Sequence, residues 1–71
     1  MTDEETIDMV RAKLRLLGVD LDGGMREAKF PDTHWIWIYG KHGLSVGAYS
    51  RADAYTKVLE AYLERIKQWK T

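Results

Sequence analysis

A reaction needs a nucleophile, a base, a metal or a cofactor loop gathered in one place, and the candidate residues of this 71-residue chain assemble none of these. His34 and His42 are its two imidazoles, and neither has a His or Glu four residues away to complete a metal-binding helix face. Ser45 and Ser50 lack a recognisable nucleophile elbow, and Ser50 reads better as a helix cap. The glycines of "GLSVG" at 43–47 sit within a strand instead of leading into a helix, so the amides of a phosphate-cradling loop are missing. Asp20 and Asp22 lie in a short acidic loop without the ligand spacing of a calcium-binding loop. There is no cysteine, which removes disulfides, thiolate zinc sites and Cys nucleophiles together. The expectation is a protein that is not an enzyme and holds no cofactor or metal.

Aromatic surface is what the sequence does concentrate. The stretch "HWIWIYGKHGLSVGAY", residues 34–49, places Trp35, Trp37, Tyr39 and Tyr49 in one hairpin. Two uses compete for such rings. Cross-strand aromatic pairs stabilise a small sheet by about 0.2–1 kcal/mol each, and they also make a surface on which a partner settles. The choice depends on which elements cover which face.

The covering elements are legible. "TDEETIDMVRAKLRLLG" predicts a first helix: Thr2 and Glu5 form a capping box, acidic residues fill the first turn and Gly18 is the stop. Ile7, Val10, Leu14 and Leu17 recur at helical spacing as its buried stripe. "VDLDGG" is a loop, and "MREAKF" at 25–30 is a candidate edge strand ended by Pro31. Residues 34–39 and 44–49 alternate as two strands. Ser50 and Asp53 form a second capping box, after which Tyr55, Val58, Leu59, Tyr62, Leu63, Ile66 and Trp69 line a long C-terminal helix. The fold class expected is α+β, one domain over residues 1–71 in the order α-β-β-β-α, with both helices packed on one face of a small antiparallel sheet.

Side chains alternate across a strand, so Trp35, Trp37 and Tyr39 oppose Ile36 and Ile38. A three-residue loop Lys41-His42-Gly43, with Gly43 left-handed and a bulge, would set Ile38 opposite Val46 and Ile36 opposite Ala48. The other face would then join Trp35 to Tyr49, Trp37 to Gly47 and Tyr39 to Ser45. Helices on the aliphatic face leave the aromatic face to solvent, where Trp35, Trp37, Tyr39 and Tyr49 are candidate protein-binding residues.

Composition narrows the partners. Eleven basic residues balance eleven acidic ones, with an acidic excess of three in residues 1–23 and an equal basic excess in 24–71. That balance lacks the overall positive charge that draws a protein onto nucleic acid. No apolar run reaches the ~18–20 residues of a membrane span, and "MTDEET" is acidic where a secretory leader would be basic, so a cytoplasmic address without membrane attachment is expected.

The α-β-β-β-α order, with "VGAYSRADAYTKVLEAYLERI" as last strand and C-terminal helix, resembles the double-stranded-RNA-binding domain. The resemblance implies RNA contacts from the "PDTH" loop at 31–34 and from the start of the second helix. That family has a lysine cluster there, whereas this chain has Arg51, Ala52, Asp53, Ala54 and Tyr55. "GKHGLSVGAYSRADAYTKVLEAY" is also similar in rhythm to the three-stranded DNA-binding domains of plant transcription factors and phage integrases, whose open sheet face enters the major groove. Two functions follow. The first is a non-enzymatic protein-interaction module using the aromatic face, its partner another protein or a second copy in a homodimer. The alternative is a nucleic-acid-binding domain using His34, Lys41, Arg51 and Lys57.

Overall fold

The computed structural model describes residues 2–70, Lys70 by its backbone alone. Helix α1 spans Asp3–Leu16, and Thr2 opens it with both halves of the capping box: its hydroxyl accepts from the Glu5 amide at 3.2 Å, and its own amide donates to the Glu5 carboxylate at 3.3 Å. The helix closes on Gly18 at φ +97°, where the amides of Gly18 and Val19 donate to Arg15 and Leu14 carbonyls at 3.0 Å. This paired closure needs a left-handed residue, which glycine supplies without a Cβ penalty. Ile7, Val10 and Leu14 are buried as expected, but Leu17 is not. It stands at the C-cap after the last helical turn, and the reversal at Gly18 delivers Val19 to the core in its place.

Strands β1 (Met25–Lys29), β2 (His34–Ile38) and β3 (Leu44–Ala48) form an antiparallel sheet in that spatial order, so "MREAK" is a strand despite poor strand formers. The register sets Ile38 opposite Leu44, Ile36 opposite Val46, Trp35 opposite Gly47 and Trp37 opposite Ser45. Each β2 residue thus pairs two positions earlier in β3 than the three-residue loop implied. The connection runs over residues 39–43, and its left-handed residue is Gly40 at φ +108°, not Gly43. Gly43 closes the turn by donating its amide to the Gly40 carbonyl at 3.0 Å. Because the shift is even, no side chain changes face.

Helix α2 runs Arg51–Lys70, with the Ser50 hydroxyl accepting from the Asp53 amide at 3.1 Å. It lies against β2 and β3, and α1 lies beside it. One core joins Ile7, Val10 and Leu14 of α1 to Met25, Ile36, Ile38 and Ala48 of the sheet through Ala52, Ala54, Tyr55, Val58, Leu59 and Tyr62 of α2. Leu63 and Trp69, expected in the same stripe, are exposed. A 20-residue helix is about 30 Å long and a five-residue strand about 17 Å, so the end of α2 overhangs the sheet. The β2–β3 loop folds against this overhang. The His42 ring meets the edges of Tyr62 and Trp69 at 6.1 and 5.2 Å, and the Lys41 ammonium sits 4.6 Å from the Trp69 centroid.

Candidate functional site

With α2 against the Ile36 and Ile38 side of the sheet and α1 packed beside α2, the opposite face is uncovered. Alternation and register decide what it carries: Ala28, Trp35 and Gly47 in one row across the strands, and Arg26, Trp37 and Ser45 in the next. Ala28 and Gly47 are small, which leaves the Trp35 indole room to lie down on the sheet. Its ring so closely covers Gly47 that a Cβ there would come 2.8 Å from Cζ3 and 3.0 Å from the Thr33 methyl. The Trp35 Nε1–H donates to the Phe30 carbonyl at 3.2 Å, fixing the indole in that pose. Trp37 stacks beside it, centroids 6.5 Å apart and planes inclined by 25°.

Exposed rings flank this pair. Trp35 is 37%, Phe30 74% and Tyr49 87% exposed, so the apolar surface continues along the strand ends. Beside Trp35, a hollow of about 270 Å³ is lined by Thr33, Gly47, Ala48, Tyr49 and Lys57. Tyr39 stands apart. It follows the end of β2, donates its amide to Gly24, and borders a second hollow with Val19, His42 and Tyr62. Of the four expected protein-binding residues, Trp35, Trp37 and Tyr49 therefore gather along one surface, with Tyr39 beyond its rim.

The basic set is dispersed. His34 is on the helix-facing side opposite Ala48, Lys41 is held over Trp69, and Lys57 stands at the hollow beside Tyr49. Arg51 is paired: its Nε and Nη2 donate to the Glu27 carboxylate at 2.6 and 3.2 Å. The same carboxylate accepts from the Tyr55 hydroxyl, which in turn accepts from Arg11 Nη1 at 3.1 Å. Tyr55 has no exposed surface, so this chain ties α1, β1 and α2 together at the edge of the core. The Arg51 guanidinium, helped by the Tyr55 hydroxyl, holds the Glu27 carboxyl below its ordinary range despite partial burial. Burial first, then the bond to Glu27, pushes the Tyr55 hydroxyl up, and the pairing with Glu27 raises Arg51.

This cluster was not read from the sequence, nor was the place of Arg26 on the open face. Strand alternation through "MREAKF" was the available signal, since it separates Glu27 from Arg26. The partners, however, lie 24 to 44 residues away. Gly43, Ser45 and Gly47 have the spacing of an esterase nucleophile turn, but that chemistry needs the serine on a strand-to-helix corner, and Ser45 is in mid-strand opposite Trp37. Among the described residues no group of three or more His, Cys, Asp or Glu is placed to hold a metal, and no helix is long and apolar enough to cross a membrane. Comparison with known protein families, curated proteins and solved structures finds no match.

Proposed function

We propose that this chain is a non-enzymatic interaction module that binds another protein through the open face of its sheet. The observation behind this is the stacked, partly exposed Trp35–Trp37 pair on a face that neither helix covers, continued by exposed Phe30 and Tyr49. Contiguous aromatic surface of this kind marks interfaces, where rigid rings bury much area at little entropic cost. A cysteine-free chain suits a partner met in the reducing cytoplasm.

A second reading has one observation in its favour. Arg26 stands opposite Trp37 on the same face, so the face carries one cation beside its rings. The α-β-β-β-α order resembles double-stranded-RNA-binding and three-stranded-sheet DNA-binding domains, and an arginine beside stacking rings suits either substrate. Neutral net charge and the neutralised Arg51 weigh against it.

Trp37→Ser separates the protein reading from a purely structural role for the rings. On the interface reading the variant stays folded, losing less than the roughly 3–5 kcal/mol typical of deleting a fully buried Trp. Its association, followed by sedimentation or by binding to a captured partner, weakens. Collapse of stability with association unchanged would refute the proposal. Duplex binding at micromolar strength with a steep salt dependence, lost in Arg26→Ala, would put the nucleic-acid reading first.

A further inference from the structure

We infer that the chain also pairs with a second copy of itself, joined edge to edge through β3 in an antiparallel, two-fold pairing that makes one six-stranded sheet; this goes beyond the open-face reading and leaves the Trp35–Trp37 face free for its own partner. The two edges of the sheet differ. β1 carries Arg26, Glu27 and Lys29 and runs into Pro31, the charged side chains and proline that keep an edge from recruiting another strand. β3, "LSVGA", has no charge and no proline, and β2 is its neighbour on one side alone among the described residues.

The strand is also complementary to itself. With the two-fold axis at Val46, Val46 meets the partner's Val46, Leu44 meets the partner's Ala48, and Ser45 meets the partner's Gly47. Opposite residues of an antiparallel pair share a face, so Leu44, Val46 and Ala48 stay on the helix side of both copies, and Ser45 and Gly47 on the open side. Where a large ring continues the open side, at Tyr49, the residue brought opposite is the partner's Gly43, which leaves it room.

The charges of α2 beside this edge suit the same axis. Lys57 borders the hollow at Ala48 and Tyr49, and Arg65 Nη1 donates to the Gly43 carbonyl at 3.3 Å, so this stretch of α2 flanks β3 from end to end. Glu64 lies seven residues beyond Lys57 and therefore on the same helix face. Reversal about the axis sets Lys57 level with the partner's Glu64, a pairing of opposite charge made twice. The open faces then form one surface carrying two copies of the Trp35–Trp37 pair.

Sedimentation equilibrium over a wide concentration range tests this with the parent chain, Ser45→Lys and Trp37→Ser, alongside amide hydrogen exchange. Ser45 is exposed, so the lysine leaves the fold intact, and circular dichroism checks that. In the dimer the two lysines lie about 7–8 Å apart across the axis, and their repulsion raises the dissociation constant about tenfold or more. Mixing Ser45→Lys with Ser45→Glu restores association. Exchange at residues 44–48 slows with concentration in the parent chain. A parent chain that stays monomeric, or Leu44–Ala48 amides indifferent to concentration, overturns the inference. Loss of association in Trp37→Ser with Ser45→Lys unaffected also overturns it, while leaving the aromatic face as the binding surface.

Discussion

Removing the Glu27 carboxylate is the sharpest test of how this domain is held together, because one side chain there accepts three hydrogen bonds from two others. Glu27 accepts two hydrogen bonds from Arg51 and one from the buried Tyr55 hydroxyl. The Arg51 pair is open to solvent, with side-chain exposures of 48% and 34%, so screening limits it to about 0.2–1 kcal/mol. The Tyr55 bond is part-buried and charge-assisted, a class that contributes about 1.5–3 kcal/mol, and losing it leaves the hydroxyl with Arg11 as its described partner. Glu27→Ala should therefore cost about 2–3 kcal/mol, and Arg51→Ala about 1 kcal/mol or less. Urea denaturation measures both. Equal losses in the two variants would show that the exposed pair, and not the tie to Tyr55, carries the stability.

The same group gives a pH signature. Its folded carboxyl titrates below the ordinary value of 4.5, so its stabilisation is fully present above that value and is lost as pH falls through the lower, folded one. The stability difference between the parent chain and Glu27→Gln should be constant near neutral pH and shrink on acidification below 4.5. A difference that stays constant to the end of the acid limb would refute the assigned partnership.

Two further outcomes test the packing. Leu14→Ala or Val58→Ala removes a side chain with no exposed surface and should cost about 2–4 kcal/mol, read as a lowered urea midpoint. Gly47→Ala drives a methyl against the Trp35 ring, which must lift from the sheet. A loss of about 1–3 kcal/mol with a shift in tryptophan emission is expected, and an unchanged spectrum would place that ring elsewhere.

What the sequence determined by itself is whatever depends on neighbours a few residues apart. The Thr2–Glu5 box, the stop at Gly18 and the stripe Ile7, Val10, Leu14 are written within single turns of helix, and the period-two pattern of "HWIWI" sorts rings from aliphatics on local geometry alone. That sorting survived a wrong choice of loop, since exchanging Gly43 for Gly40 as the left-handed residue moved the register by two, and only an odd slip turns a strand over. The reach of each pattern was decided by the tertiary structure. Periodicity carried the buried stripe of α2 on to Leu63 and Trp69, but a helix buries residues only where another element lies over them. Leu63 turns toward the end of α1, beside Leu16 and Leu17, and Trp69 meets the β2–β3 loop at His42 and Lys41. The same holds for Arg51, a free cation in the sequence that became half of a pair once β1 took its place in the sheet and set Glu27 beside it. Chain entropy keeps such distant groups apart until the core forms, so their meeting is a property of the packed fold rather than of any local stretch of sequence.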